Sequence, residues 1–508
     1  MKPRYVSARR EFFSLSGKAA LAAVASQYPV WARGAQSNGD LTELTTMQAA
    51  SALRSGDIKA EDYAKALLQR CEQGAALNAF ISLNPEQLVE AARAADLKRR
   101  TGATLGALHG VPLAVKDLIM TKALPTTGGT NALRNFRPKV DAPVLTRLFE
   151  QGALLLGKNN THELGLGWTS NNESFGAARN PYDTSRIPGG SSGGTAVAIA
   201  SRMSPAGIGT DAGGSIRVPA GLCGIAGLRP TWGRYPLRGL VTTMPSFGTS
   251  GPMARSVADL MLLDSVITGE TTVPAPVDLA GSRLGVPRGY FYTDIDSETA
   301  EIVETALRAL REAGVTLIEA DMPELAELVL PTYFVIAQTE AKTAFSKFLL
   351  DNETGLTFDE VTEQAAPRTK ALIERFFLET GKAYPPREQQ EKAVNVNRPA
   401  LKSVIEKYFG DHNVQAMVFP PLMMPAPLIG QDAEIDIGGK KMPNFVAFGR
   451  NALLGSCASL PGVVVPAGLT KSGLPIGIEF DGLNGQDRKL LALALAVEKL
   501  GQMPAPRM

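Results

Sequence analysis

Residues 183–230 read DTSRIPGGSSGGTAVAIASRMSPAGIGTDAGGSIRVPAGLCGIAGLRP, and they contain two glycine–serine clusters, at 189–194 and 212–215. A short apolar segment, residues 195–200, separates the two clusters. Glycine lets the backbone approach a ligand closely and adopt conformations that other residues resist. Each cluster also places a serine where a helix is predicted to begin. We therefore expect the surrounding fold to hold these two serines together.

The composition is that of a large globular protein. The chain has 508 residues, of which 44% are hydrophobic and 20% are charged, so it has ample apolar material for a core. Residues 1–35 carry six basic side chains and one acid, which leaves residues 36–508 with a net charge of −3 although the whole chain is at +2. These charges are interspersed, a pattern that excludes a nucleic-acid-binding footprint.

Cysteine and histidine are rare. Cys71, Cys223 and Cys457 form no CxxC pair, and the three histidines show no metal-ligand spacing with them. A zinc site or a disulfide framework would require such spacings. We expect buried, unreactive thiols, no metal site and no cofactor.

The first forty residues resemble an export signal. Arg9 and Arg10 precede two phenylalanines, and the weakly apolar segment 19–31 that follows is too short and polar to span a bilayer. A basic start, a modest apolar core and small residues near 32–35 are typical of a signal that is removed, and the arginine pair resembles a twin-arginine signal. We expect a periplasmic or secreted mature protein that does not span a membrane. A cytoplasmic protein with a basic leader is the alternative.

Strand and helix patterns predict the architecture of residues 36–508. Helices dominate from about 41 to 100, where Thr45 or Thr46 can cap one helix and Asn84 can cap another. Apolar strands then alternate with helices, which predicts an α/β sheet covered by helices on both faces. Residues 322–409 carry only helical patterns before strands return. We predict one α/β domain with a helical insertion at about 322–409.

Two lysines follow apolar segments that look like buried strands. Lys116 comes after GVPLAV, and a surface lysine at a strand exit is the ordinary interpretation of that position. Lys158 comes after GALLLG at 152–157, which nearly completes the phosphate-binding pattern GxxxxGK[ST]. Asn159 stands where that pattern needs Ser or Thr, and a continuous apolar run predicts a core strand rather than a loop that exposes N–H groups.

The first glycine–serine cluster is compatible with a serine hydrolase. Gly189-Gly190-Ser191-Ser192-Gly193 satisfies GxSxG, the nucleophile elbow of α/β-hydrolases. That mechanism needs a histidine after the serine, and His412 is the only histidine that follows Ser191 in the sequence. Many glycine–serine loops match this pattern, so the match alone decides little.

The second cluster suits an oxyanion. Successive backbone N–H groups of an Ala-Gly-Gly run beside a helix start form an anion-binding cup. Ser215, at the end of this cup, is placed to attack a carbonyl whose oxygen the cup receives. A buried, unprotonated lysine acting through a second serine would take the proton, because burial lowers the pKa of a lysine.

Three motifs in this order resemble the amidase signature family. They are GVPLAVKD around Lys116, GGSSGG around Ser191 and GTDAGGSIRVP around Ser215, and the spacing of 24 residues between the two serines also matches. The similarity covers about residues 41–500, including LPGVVVPAG and GLPIG near the end. It implies a three-layer α/β/α sandwich with a mixed central β-sheet.

The resemblance also implies a Ser–cisSer–Lys triad. Ser215 is the nucleophile that forms an acyl-enzyme, Ser191 follows a cis peptide bond and relays the proton, and Lys116 is the base that later protonates the departing amine. Three residues would donate backbone N–H groups to the oxyanion: Ala212, Gly213 and Gly214. Three further residues would brace this loop: Asp211, Arg217 and Ser192.

We expect hydrolysis of a carboxamide to a carboxylic acid and ammonia or an amine. Residues 162–164, 169–172, 176–181 and 233–236 look like the indoleacetamide and mandelamide hydrolase branch, which implies a small primary amide of the arylacetic type. The alternatives are the amidase-fold subunit of the glutamine-dependent tRNA amidotransferase, a Ser–His α/β-hydrolase esterase and a non-catalytic binding protein. The expected partner is a small-molecule amide, and the oligomeric state stays open, with a homodimer as one alternative.

Overall fold

The computed structural model describes residues 39–501 and Pro506, so the predicted leader at 1–35 lies outside the described residues. The strands are β1 (Phe80–Leu83), β2 (Pro112–Lys116), β3 (Leu154–Asn159), β4 (Ala206–Asp211), β5 (Ala226–Arg229), β6 (Thr249–Ala254), β7 (Arg283–Gly285), β8 (Thr316–Ile318), β9 (Ala416–Phe419), β10 (Glu434–Ile437), β11 (Lys440–Pro443), β12 (Gly462–Leu469) and β13 (Pro475–Asp481). The α-helices are α1 (Thr46–Ser55), α2 (Ala60–Gln73), α3 (Pro85–Arg100), α4 (Pro143–Glu150), α5 (Gly193–Ala200), α6 (Arg217–Cys223), α7 (Val257–Thr268), α8 (Arg288–Phe291), α9 (Ser297–Glu312), α10 (Leu325–Asp351), α11 (Phe358–Gln364), α12 (Pro367–Phe376), α13 (Arg387–Lys392), α14 (Arg398–His412), α15 (Asn444–Ala458) and α16 (Asp487–Glu498).

The strand order places the ends of β2 and β4 side by side. Eleven strands form one sheet in the order β1-β3-β2-β4-β6-β5-β12-β13-β9-β7-β8. β2 is parallel to both β3 and β4, whereas β4 and β6, β6 and β5, and β5 and β12 are antiparallel. Parallel neighbours end at the same edge of a sheet. Lys116, at the end of β2, therefore lies beside Thr210 and Asp211 at the end of β4.

The two faces of this sheet are covered by different cores. Leu113 and Val115 of β2 belong to the largest hydrophobic cluster, whereas Ala114 belongs to a second cluster with side chains of α5 and α6. This division follows from the alternation of side chains along a strand. α5 is buried along its whole length, as expected for a helix that is apolar all round. The predicted three-layer α/β/α sandwich with a mixed sheet is confirmed.

Between β8 and β9 the chain forms only helices. α10 spans 27 residues, α11 to α13 follow it, and α14 ends at His412. The helices of this segment run from residue 325 to residue 412. Within the residues that the structure describes, none of the helices combines the length and the apolar character needed to cross a membrane.

Local sequence signals predicted the first helices well. The Thr45 side chain caps α1 in a reciprocal arrangement with Gln48, and the Asn84 side chain caps α3, whose first residue is Pro85. The same region also contains β1, which the helical pattern of 41–100 did not predict. β1 lies at the edge of the sheet and pairs only with β3 among the described strands. It is four residues long, and so short a segment carries little strand signal in the sequence.

β3 ends at Asn159, two residues later than predicted, and it includes Lys158. Its Nζ lies 2.9 Å from Oδ1 of Asp117 and 2.7 Å from Oγ1 of Thr126, and the side chains of Lys158 and Asp117 are fully buried. The buried Asp117 carboxylate thus compensates the charge of Lys158, and this pairing allows the lysine to lie in the core rather than at the surface. The sequence GALLLGK ends in a core strand, as predicted, rather than in a phosphate-binding loop.

Residues 421–460 carry no predicted element, yet they form the hairpin β10–β11 and α15. Gly438 and Gly439 have φ angles of 63° and 86°, as a type I′ turn requires. Ile435 and Ile437 are buried while the residues between and before them are exposed. This alternation before a Gly-Gly pair was the available signal for the hairpin.

The three cysteines are buried and form no disulfide. Burial raises the pKa of the Cys71 and Cys457 thiols to about 12 and also raises that of Cys223. Since the thiolate is the reactive form, these side chains are packing groups, as the sequence predicted.

Candidate active site

Lys116 and Ser191 meet where β2 and β4 end. The Lys116 Nζ is hydrogen-bonded to Oγ of Ser191 and to Oγ1 of Thr210, each at 2.7 Å. Lys116 is fully buried, and this burial holds the pKa of its amine well below the usual value, although the Asp211 carboxylate acts in the opposite direction. A lysine in this state can accept a proton.

The loop that carries Ser191 is fixed through its backbone. The peptide bond between Gly190 and Ser191 is cis, as the family resemblance implies. The Ser191 carbonyl accepts hydrogen bonds from the His162 N–H at 3.2 Å and from Oγ1 of Thr161 at 2.7 Å. These contacts leave the Ser191 hydroxyl for Lys116.

Ser192 joins the two glycine–serine clusters. Its N–H donates to the Ser215 carbonyl at 3.2 Å, and its hydroxyl donates to the Thr210 carbonyl at 3.1 Å. Ser191 and Ser215, both almost fully buried, line one cavity of about 40 Å³. The structure thus brings Lys116 and the two predicted serines to one place.

Asp211 braces the second cluster. Its carboxylate accepts from the Gly214 N–H at 2.7 Å, from Nε of Arg217 at 3.0 Å and from Arg229 at 3.1 Å. Burial raises the pKa of Asp211, but the two arginines outweigh burial and keep this pKa below its usual value. The Gly214 N–H, predicted as an oxyanion donor, is therefore engaged by an ionised carboxylate in this structure.

Two acids of β13 complete this buried cluster. They were not predicted as site residues from the sequence. Arg217 donates to Oε1 of Glu479 at 2.6 Å, and Asp481 lies two residues further along the same strand face. Both acids are fully buried, and burial raises the pKa of each. The available signal was the pair of acids in the otherwise apolar run PIGIEFD.

The structure does not bring Ser191 and His412 together. The His412 ring lies 5.0 Å from the Tyr408 ring, and its carbonyl accepts from Arg283 of β7, near the far edge of the sheet. The histidine beside Ser191 is instead His162, where desolvation lowers the pKa of the imidazole to about 4. The Ser–His arrangement considered from the GxSxG pattern is therefore not formed.

The cavity beside the two serines has a largely apolar wall. Its aliphatic and thioether side chains are Leu118, Leu164, Leu240, Val241 and Met244. Four threonines add hydroxyl groups: Thr210, Thr242, Thr243 and Thr249. Such a wall suits an apolar acyl group next to a small number of polar contacts.

The family model described as Amidase matches residues 62–491. The chain belongs to the amidase signature family. It is 40% identical over 447 residues to an indoleacetamide hydrolase of Agrobacterium vitis, covering 88% of this chain and 95% of that protein. It is 36% identical over 487 residues to a mandelamide hydrolase of Pseudomonas putida, covering 92% and 93%. A solved amidase structure superposes with a TM-score of 0.80 at 31% identity, over 90% of this chain and 99% of that one.

These similarities confirm the predicted family and enzyme class. The protein is an amidase, and amide hydrolysis is its reaction. Among the residues that the structure describes, no group of three His, Cys, Asp or Glu side chains is arranged to hold a metal ion.

Proposed function

We propose that this amidase hydrolyses a small primary amide of the arylacetic type to the carboxylic acid and ammonia. The observation that carries the proposal is the Lys116–Ser191 hydrogen bond at a cavity that Ser215 also lines, beside an apolar wall. The names of the indoleacetamide and mandelamide hydrolases support an arylacetic acyl group. An aromatic ring would pack on Leu118, Leu164 and the other apolar side chains of the wall.

In the proposed acylation, Oγ of Ser215 attacks the amide carbonyl carbon. The Ser215 proton passes to Oγ of Ser191 while the Ser191 proton passes to Nζ of Lys116. The tetrahedral oxyanion accepts hydrogen bonds from the backbone N–H groups of Ala212 and Gly213. The Gly214 N–H joins them only if it leaves the Asp211 carboxylate.

Collapse of this intermediate breaks the C–N bond. The proton held by Lys116 returns through Ser191 to the departing nitrogen, and ammonia leaves the acyl ester of Ser215. Water then attacks the ester, and its proton follows the same route to Lys116. As the acid leaves, this proton returns from Lys116 through Ser191 to Oγ of Ser215, which restores all three side chains, so one water is consumed for each amide hydrolysed.

Three neighbouring residues hold this geometry in the proposal. Asp211 and Arg217 brace the cup through the buried ion pair, and Ser192 joins the loop of the relay serine to the loop of the nucleophile. Because the pair is fully buried, removing one partner would leave an uncompensated charge.

The substrate requires more space than the cavity offers. A volume of about 40 Å³ accommodates little more than one or two water molecules. The segment between β5 and β6 supplies Leu240, Val241 and Met244, and Oη of Tyr333 lies 3.3 Å from the Met244 sulfur. Displacement of this segment would enlarge the acyl pocket.

A panel of amides tests the substrate class. We expect kcat/KM for phenylacetamide and indole-3-acetamide to exceed that for acetamide by about 100-fold, because burial of an aromatic ring contributes about 2–3 kcal/mol. Ammonia release would be measured with the wild-type enzyme, and Ser215→Ala protein would give the background. Equal values for acetamide, or activity confined to anilides, would contradict the arylacetic proposal.

We also propose that residues 1–35 are a twin-arginine-type export signal and that the mature protein is periplasmic or secreted. The basis is the Arg9–Arg10 pair ahead of a weakly apolar segment.

Replacing both arginines with lysine should retain a full-length precursor in the cytoplasm. The matched change Arg4→Lys should leave export intact. Cell fractionation with N-terminal sequencing measures both. A full-length wild-type chain in the cytoplasm, bound to partner subunits, would favour the amidotransferase alternative.

A further inference from the structure

Trp168 lies outside the three sequence motifs, yet it contacts the backbone of the oxyanion cup. Its indole Nε1–H donates to the Gly213 carbonyl at 2.7 Å. The ring is half-buried and packs against a hydrophobic cluster that includes Phe448 and Ala452 of α15. Trp168 is not one of the side chains that line the cavity. Its hydrogen bond to the cup is made through Gly213.

The Gly213 carbonyl and the Gly214 N–H belong to the same peptide plane. This carbonyl accepts from Trp168, while the Gly214 N–H donates to Oδ1 of Asp211 at 2.7 Å. In a trans peptide the carbonyl and the N–H point in opposite directions. Trp168 and Asp211 thus hold the two opposite edges of one plane.

This plane needs such restraint because it joins two glycines. Glycine has no Cβ to limit rotation of the peptide units beside it, and Gly214 has a φ of 95°. A side chain at position 213 is excluded, since a Cβ there would lie 2.3 Å from Oη of Tyr333. Hydrogen bonds must therefore supply the restraint that a side chain would otherwise give.

The residues on either side of this plane face the cavity. Ala212 and Ser215 both line the cavity, one before and one after the glycine pair. Rotation of the Gly213–Gly214 plane would change the position of the cup N–H groups relative to the Ser215 hydroxyl. A tetrahedral intermediate must contact both at once, so its stability depends on their separation more than binding of the planar amide does.

We propose that Trp168 is a positioning residue for amide hydrolysis: its indole N–H, opposite the Asp211 carboxylate, fixes the Gly213–Gly214 peptide and keeps the cup aligned with Ser215. This inference rests on the proposed roles of the cup and of Ser215. It assigns Trp168 a role in stabilising the transition state, exerted through the backbone, rather than a role in binding the aromatic acyl group.

The substitution Trp168→Phe keeps an aromatic ring and deletes the donor. We expect kcat for phenylacetamide to fall about 10-fold with KM changed less than twofold, because one hydrogen bond that aligns the transition state is lost. Inhibition by phenylacetaldehyde, which adds to a serine as a tetrahedral hemiacetal, should weaken by the same factor. Inhibition by phenylacetate, a planar product, should stay unchanged.

Tyr292→Phe is the matched control. Its hydroxyl also donates to a backbone carbonyl, that of Val418 at 2.9 Å, but the side chain lies outside the cavity wall. We expect kcat and both inhibition constants within twofold of wild type. Should Trp168→Phe not fold, 3-benzothienylalanine at position 168 replaces only the N–H with sulfur and keeps the shape of the ring.

Wild-type kcat and aldehyde inhibition in either variant at position 168 would overturn the inference. Equal losses in aldehyde and phenylacetate inhibition would also overturn it, because they would indicate a role in binding the acyl group. The proposed function fails separately, if Ser215→Ala protein retains activity. The two failures are therefore distinguishable within one set of assays.

Discussion

Replacing Ser215 with alanine is expected to lower kcat for amide hydrolysis by about 10⁴- to 10⁶-fold while the protein stays folded. The change removes the attacking oxygen of the proposed mechanism. It should disturb the fold little, because the contact that joins the two clusters uses the Ser215 carbonyl, which accepts from the Ser192 N–H. Ser215→Ala therefore separates chemistry from structure.

Ammonia release from phenylacetamide and the melting temperature measure the two effects. Ser201→Ala is the matched control, since Ser201 is also buried and follows the last residue of α5. We expect its kcat to stay within about threefold of wild type. Mass spectrometry of wild-type enzyme quenched during turnover should find the phenylacetyl ester on Ser215. An ester on Ser191, with an active Ser215→Ala variant, would exchange the proposed roles of the two serines.

Replacing Lys116 with methionine is expected to abolish activity, with a loss of about 10⁴-fold or more, and to stabilise the protein near neutral pH. Activity is lost because the proton acceptor of Ser191 is gone. Stability rises because burial holds the pKa of Lys116 far below its unfolded value of about 10.4. Between these two pKa values the unfolded chain binds a proton that the native chain does not bind, and this proton favours unfolding.

The sign of this effect fixes its pH dependence. In the wild-type protein, the contribution of Lys116 to the free energy of unfolding becomes more favourable as the pH rises towards about 10.4. Methionine has no such contribution, so the advantage of Lys116→Met should shrink as the pH is raised from 7 to 9. Denaturant unfolding at several pH values measures it. A stability difference between Lys116→Met and wild type that stays constant, or moves in favour of the variant, from pH 7 to 9 would contradict the assignment of a neutral amine.

Lys158→Met provides the comparison for this experiment. Lys158 is equally buried and lies one residue before the end of the neighbouring strand β3, but it is paired with Asp117 at 2.9 Å. Removing it leaves a buried carboxylate without its cation, which costs about 3 kcal/mol or more. Two buried lysines near the ends of adjacent strands are therefore expected to respond to the same substitution with opposite changes in stability.

Much of this arrangement was accessible from local sequence. The caps at Thr45 and Asn84 and the start of α3 at Pro85 depend on neighbours within three residues, so their sequence signals were sufficient. Lys116 shows the opposite case. Its own surroundings predict a surface lysine at a strand exit, and only the combination of three motifs led to the proposal that it is the base of a triad.

By itself, the sequence determined the family and the order of strands and helices around the two clusters, and it led to the proposal of Lys116, Ser191 and Ser215 as the catalytic residues. These depend on residue types at fixed spacings along the chain. Only the tertiary structure decided how the cup is held. Trp168 is 45 residues from its acceptor Gly213, and Arg217 is 262 residues from Glu479.

The same distinction applies to the two glycine–serine clusters. Their sequence shows three successive N–H groups and two serines that look equivalent. In the structure the Gly214 N–H donates to Asp211, and the Ser191 hydroxyl is hydrogen-bonded to Lys116. Neither the N–H groups nor the serines are therefore equivalent in the fold. Hydrogen-bond partners from separate strands make this difference, and a linear pattern carries no record of which strands become neighbours.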